Sequence, residues 1–397
     1  MYEEARHETL IQTEWNPQDA LAAIDRIVRD TQSRFERRSL WPIHPLDKFT
    51  DTPTAPFKML YFGAAGVIWA LDYLSALGAA AKKPDYASSL IDLAAQNRAE
   101  MQLRVPQIYS YLMGDVGILL TQWRLSPSNE LADQIYQSVQ ANVTNPAREF
   151  MWGAPGTMLA ALFMLDSTGD RRWKEVYLHS VAQLLRKWER NARYNCHIWT
   201  QDMYGRESIY LGAVHGFAAN IFSIIKGRKY LDSQTLTLVE SRARESVAHT
   251  AQSNEVYVNW PADLGGTSRL VQHCHGAPGM ITCLADLPSG ADEEFDRLLA
   301  KGGELIWRAG PLKKGPNLCH GTAGNGYAFL KLYQRTGDAT WLDRARAFAM
   351  HAIAQSERHA SEYRQRRYSL WTGDLGLAVY LWDCLNGQAK FPTMDVF

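Results

Sequence analysis

The chain has 397 residues, 46% hydrophobic and 21% charged, with 42 basic residues balancing 42 acidic ones. Zero net charge removes the electrostatic footprint that duplex nucleic acid or an anionic membrane surface demands, so no nucleic acid partner is expected. No apolar run approaches the ~20 residues that span a bilayer, which argues against integral membrane association, and five cysteines are too few and too odd in number for a disulfide framework, which points to a reduced cytoplasm.

Residues 1–60 precede any repeat and are expected to form a helix and a crossing loop that includes Trp41-Pro42-Ile43-His44-Pro45. The opening MYEEARHETL lacks the basic and then apolar stretch of an export signal. Across 61–397, expected to be one domain, a Gly-x-x-Gly element or close variant recurs seven times, each time ahead of an apolar run at helical spacing. The copies are GAAG from Gly63, GDVG from Gly114, GAPG from Gly153, GFAA from Gly216, GAPG from Gly276, GTAG from Gly321 and GDLG from Gly373. They stand 39 to 63 residues apart, room for one helical hairpin each.

The third and sixth copies show how a repeat is built. Both are followed by a Thr-Gly-Asp turn, at Thr168 and Thr336, and then by a tryptophan, Trp173 or Trp341. That predicts a first helix stopped at glycine and a second opening near the tryptophan. In the second helix of the sixth repeat, Trp341, Leu342, Ala345, Phe348, Ala349 and Ala352 share one stripe while Asp343, Arg344 and Arg346 lie off it, the pattern of an outer helix wet on one face. The segments directly after each Gly-x-x-Gly are apolar or small on most faces and suit an inner position. Strand signals are poor, and VYVNW near Val256 is the one tempting run. The chain therefore reads as all-α, and a closed α/α toroid of about seven inner and seven outer helices needs no capping repeats.

Two tripeptides carry the chemistry: Cys274-His275-Gly276 opens the fifth repeat and Cys319-His320-Gly321 the sixth. Composition alone predicts roughly 0.01 Cys-His-Gly tripeptides in such a chain, so a shared constraint put both there. Each immediately precedes an inner helix of neighbouring repeats, so both pairs should project at the same end of the ring, where they can converge on one ion. Thiolate and imidazole are preferred zinc ligands, and three of them with an open fourth position is the catalytic pattern. On residues alone His273, His275 and His320 compete for the imidazole place. Cys196, Cys283 and Cys384 have no partner at ligand spacing and read as small core hydrophobes.

These residues resemble the lanthionine synthetase C-like proteins. The resemblance runs from about Gly63 to the end and is densest over HCHGAPG (273–279), LKKGPNLCHGTAGNGYAFLKLY (312–333), YSLWTGDLG and KFP. It implies a toroid of seven inner and seven outer helices, and one zinc ion held by Cys274, Cys319 and His320, leaving His275 aside. It implies catalytic roles for His215 of GAVHG and Glu149 of EFMWG. The tryptophan usual before the first zinc cysteine is His273 here.

The activity implied is addition of a thiol, glutathione above all, to dehydroalanine or dehydrobutyrine in a peptide or protein. Zinc lowers the pKa of the thiol, and a neutral-pH acid, the ordinary work of histidine, protonates the enolate left by attack. Lys313-Lys314 could hold a carboxylate at the rim, and the resemblance to glutathione-binding members favours Lys314. Arg364 with Arg366 and Arg367 forms a second basic cluster that would serve the same end unless it is a solvated loop. The rival readings are a lanthipeptide cyclase, whose attacking cysteine belongs to the acceptor peptide, and a non-catalytic zinc- and glutathione-binding adaptor. A carbohydrate-active toroid would need paired carboxylates, for which Asp115 and Asp374 are the candidates, both better suited to helix N-termini.

Overall fold

Every Gly-x-x-Gly element stands at the start of a helix in the computed structural model, which describes residues 1–47, 55–81, 85–290 and 292–397. Part of the expected crossing loop, 48–54, lies outside the described residues. In chain order the helices are α1 (Pro17–Ser33), α2 (Ala64–Ala76), α3 (Leu93–Glu100), α4 (Asp115–Leu125), α5 (Asn129–Asn142), α6 (Ala154–Thr168) and α7 (Arg171–Arg186). They continue as α8 (Phe217–Lys226), α9 (Ser233–Thr250), α10 (Ala277–Leu284), α11 (Glu293–Ala309), α12 (Thr322–Thr336), α13 (Ala339–Tyr363) and α14 (Asp374–Asn386). The even-numbered helices follow the glycine elements and pack side by side as an inner ring that closes where α14 meets α2. The odd-numbered ones form the outer ring. Among the described residues no outer helix follows α14; α1 covers it instead, burying Ala20, Ala23, Ile24, Ile27 and Val28 at helical spacing. The chain is an all-α toroid of seven inner and seven outer helices among the described residues.

The turn chemistry follows the sequence closely. Gly169 and Gly337 end α6 and α12 with φ of 68° and 71°. Asp170 and Asp338 then cap α7 and α13 by accepting the amides of Arg172 and Thr340. Among the described residues the structure adds three two-stranded hairpins: β1 (Glu189–Asn191) with β2 (Cys196–Ile198), β3 (Gln201–Asp202) with β4 (Glu207–Ser208), and β5 (Gln252–Ser253) with β6 (Val258–Asn259). All three lie in the two longest intervals between glycine elements. Only β6 overlaps VYVNW, because strands of two or three mostly polar residues leave no alternating pattern to read.

The glycine element itself has a mechanical reason. The N-caps of the inner helices are glycines without a side-chain cap, and the preceding loop folds back so that its carbonyls serve the first amides instead. Ala64 donates to Phe57, Phe217 to Tyr210, Thr322 to Gly315 and Asp374 to Arg367, the same seven-residue step each time. The second glycine of the element is pressed against that loop: a Cβ on Gly324 would stand 1.7 Å from the carbonyl oxygen of Leu318.

The folded-back loops also join one another. The amide of Cys274 donates to the carbonyl of Cys319 (3.0 Å), Cys319 to Trp371 (2.9 Å), Trp371 to Tyr61 (3.0 Å), Tyr61 to Leu112 (3.1 Å) and Leu112 to Met151 (3.4 Å). Each of these six residues stands two before the first glycine of its repeat. They make a backbone collar along the N-terminal ends of six of the inner helices, running through the seam between last and first repeats. The interior below the collar is filled by the final segment, where Thr393 meets Tyr111 and Trp371, and Asp395 meets Lys226 and Lys331. Among the described residues no helix is long and apolar enough to cross a membrane.

Candidate active site

Cys274 and Cys319 are neighbours in the collar, so the repeat geometry itself brings their side chains together. The two sulfurs and one ring nitrogen of His320 all lie within 4.8 Å of one another, the cysteines buried and the histidine half-buried. Around a single tetrahedral zinc ion such donors would be about 3.5–3.8 Å apart. Two sulfurs and one imidazole are a donor set zinc prefers, and three donors leave one coordination place for a substrate. The residues present therefore fit a zinc ion.

The pair of thiols shares its proton unequally. A hydrogen bond from Cys319 pulls the Cys274 thiol well below the usual range against the cost of burial, and His320 and His275 add to it; Cys319, facing that thiolate and buried, is pushed well up. Two further donors reach the sulfurs. Gln272 Nε2 lies 2.8 Å from Cys274 Sγ, and the Tyr61 phenol hydrogen-bonds Cys319. Neither was singled out from sequence. Tyr61 occupies the same repeat position as both cysteines, so superposing the seven copies would have found it.

His215 sits in the loop before α8, and its Nδ1 lies 2.9 Å from Oε2 of Glu149 in the loop before α6. The carboxylate can only accept, so Nδ1 carries the hydrogen and Nε2 is the working end. Glu149 is fully buried, and its oxygens also take the amides of Met151 (3.0 Å) and Trp152 (2.6 Å). It is not paired with Arg148, whose side chain donates to the carbonyl of Thr200. Burial alone would lower the His215 pKa, but the hydrogen bond and charge of Glu149, helped by Cys274, outweigh it and leave the pKa above 6.5. The imidazole stays 26% exposed, so a substrate can reach it.

His275 is not one of the three converging donors, although its charge reaches Cys274. Its ring is 6.2 Å from that of His215 and 5.9 Å from that of Tyr210. His273 is fully buried, stacked on Phe391 at 4.3 Å, and burial drops its pKa to about 4, so it is a neutral wall.

The basic residues divide. Arg366 pairs with Glu357 and Arg367 with Asp47, so both serve the fold. Lys314 and Arg364 are exposed, and no ion pair is recorded for either among the described residues. Lys314 stands close enough for its charge to act on Cys319. The adjoining Gly315 lies against His359 on α13, the helix that ends just before Arg364. Asp115 and Asp374 are first residues of their helices, tied to Arg98 and to Ser356 and the amide of Arg367.

A family model described as lanthionine synthetase C-like protein matches residues 57–396. The chain is 29% identical over 307 residues to a Danio rerio protein named glutathione S-transferase LANCL1, covering 72% of this chain and 74% of that one. It is 34% identical over 145 residues to LanC-like protein GCL1 of Arabidopsis thaliana, 35% of this chain and 33% of that one. Among solved structures, nisin cyclase is similar in fold, with a TM-score of 0.60 at 14% identity over 95% of this chain and 98% of that one.

Proposed function

Because the chain belongs to the lanthionine synthetase C-like protein family, we propose that it is a zinc-dependent enzyme adding a thiol, glutathione by preference, to dehydroalanine or dehydrobutyrine residues of a peptide or protein. The observation that carries this reading is the convergence of Cys274, Cys319 and His320 at the mouth of the toroid. When bound there, zinc supplies the Lewis acidity that keeps an incoming thiol ionised at neutral pH.

The chain's own residues do the rest. The thiolate sulfur bonds to the β-carbon, the π electrons move onto the α-carbon and carbonyl, and His215 gives its Nε2 proton to the α-carbon. The sum is addition of S–H across C=C, with the imidazole reprotonated from solvent. Glu149 accepts from Nδ1, which leaves Nε2 as the end that takes up and gives the transferable proton, and the carboxylate stabilises the imidazolium that carries it. Tyr61 and Gln272 donate to the cysteine sulfurs and would temper the negative charge of the two thiolates once an ion is held there.

Lys314 and Arg364 are the rim cations we assign to the carboxylates of glutathione. The name of the Danio rerio relative supports glutathione as the thiol. All five cysteines are free, which supports a reducing compartment such as the cytoplasm.

The test is incubation of zinc-loaded protein with glutathione and a dehydroalanine peptide, following adduct mass. A mass gain of one glutathione per dehydroalanine is expected. Ring closure in a peptide carrying both cysteine and dehydroalanine, with no glutathione adduct, would make the protein a cyclase. Zinc and glutathione binding without either product would make it an adaptor.

A further inference from the structure

The side chain of Gln272 bridges Arg6 and Cys274. Its Oε1 accepts from a guanidinium nitrogen of Arg6 at 3.0 Å, and its Nε2 lies 2.8 Å from Cys274 Sγ. A guanidinium has no acceptor, so it dictates which end of the amide faces it: the oxygen turns to Arg6 and the NH2 must turn to the sulfur. With the amide reversed, two donors would face each other at Arg6 and an oxygen would face a buried sulfur. Arg6 selects the useful orientation.

The backbone holds both partners in place. Gln272 and His275 exchange amide-to-carbonyl hydrogen bonds at 3.0 Å in each direction, closing a tight turn over His273 and Cys274. Arg6 belongs to a strap along the loop before the sixth repeat. Its carbonyl accepts the amide of Lys313 (3.0 Å), the amide of Glu8 reaches the carbonyl of Pro311 (2.9 Å), and His7 Nδ1 bonds the carbonyl of Gly310 (2.9 Å). The strap thus ends its reach at the metal-binding turn, 266 residues away in sequence from Arg6 to Gln272.

We infer that Gln272 is a positioning residue for the metal centre and that Arg6 sets its orientation, making the N-terminal strap a working part of that centre. The N–H···S bond fixes where the Cys274 sulfur stands and offsets its negative charge in a buried place. Outer partners of this kind are typically worth about 10- to 100-fold in metal affinity. The inference rests on the zinc reading above.

The experiment uses the full chain, wild type and with Gln272→Met, Arg6→Met or both. Bound zinc is counted, its affinity is measured against a chromophoric chelator, and the cobalt-loaded proteins give the sulfur-to-cobalt charge-transfer band. Wild type should bind one ion. Gln272→Met should still bind one, about 10-fold or more weakly, with the band moved to longer wavelength because a sulfur without its N–H donor gives up charge more easily. Arg6→Met, at the surface, should move both readings the same way by less, and the double variant should match Gln272→Met alone.

A residue that merely supported the fold would leave the band where it is. An unmoved band and unchanged affinity in Gln272→Met, or an Arg6 effect that adds in full to that of Gln272→Met, would overturn the inference. If Gln272→Met does not fold, Arg6→Met decides by the same readings. No stoichiometric metal in the wild type would overturn the zinc reading itself, a failure seen before any variant is compared.

Discussion

His215 and Glu149 meet at 2.9 Å across the mouth of the toroid, the imidazole half-open to solvent and the carboxylate sealed beneath it by two backbone amides. Those amides hold the carboxyl group in place beside the imidazole, whose protonated form it favours.

His215→Ala should keep the metal and slow adduct formation by about 100- to 10,000-fold, the range of a lost general acid. Glu149→Gln should act through pH. The acid is active while protonated, so the wild-type rate falls as pH rises through a pKa above 6.5. Without the carboxylate, burial prevails and the pKa drops, moving that falling limb to lower pH. A limb in the same place in both proteins would dismiss Glu149 as the cause.

Only two of the five cysteines should matter for metal. Cys274→Ala and Cys319→Ala are each expected to purify without stoichiometric zinc and without adduct formation, while Cys283→Ala, in the core, keeps both. Stripping the wild type with a chelator should abolish activity, and zinc should restore it. Elemental analysis with paired rate measurements decides; metal retained by Cys319→Ala would reassign the site.

At the far end of the ring, Asp395 accepts from Lys226 (2.5 Å), Lys331 (3.1 Å) and the amide of Phe391 (2.9 Å). Lys331 is buried, and its other recorded acid, Asp286, is partly exposed. Asp395→Asn should cost about 3–5 kcal/mol in urea unfolding, the range for stranding one half of a buried ion pair. A cost under ~1 kcal/mol would show that the network contributes little.

Two glycines of the same repeat separate crowding from backbone conformation. Gly324→Ala puts a methyl 1.7 Å from the Leu318 carbonyl, next to Cys319, and should destabilise by more than about 4 kcal/mol and weaken metal binding. Gly337→Ala meets nothing within 4 Å and bears only a left-handed φ of 71°, so about 1 kcal/mol with metal binding intact is expected. Thermal unfolding and metal content distinguish them.

What could be read from sequence was whatever repeats. The seven glycine elements marked all the inner helices because each must admit a folded-back loop, and the two Cys-His-Gly tripeptides marked two cysteines that converge because they share one place in that loop, while the choice of His320 beside them came from the resemblance. Contacts between distant segments left no local pattern. Gln272 carries no repeat signature and is oriented by a residue near the other end of the chain. The outer helix over α14 is α1, joined by neither spacing nor motif. His215 and Glu149 came from family resemblance, since a lone histidine before a glycine is silent about a glutamate 66 residues away. The short hairpins were betrayed only by the length of the intervals that contain them.

The collar's passage from Trp371 to Tyr61 sets a rule for how relatives of this chain can diverge. An open stack of hairpins can grow or shrink at its tips with every remaining interface intact, whereas here the removal of a unit from within the bonded series would leave a carbonyl and an amide facing no one, and the loss of the fifth or sixth unit would take one of the two sulfurs with it. Descent with modification must therefore conserve the number of units and spend its insertions and deletions in the connecting loops, where the three hairpins already lie.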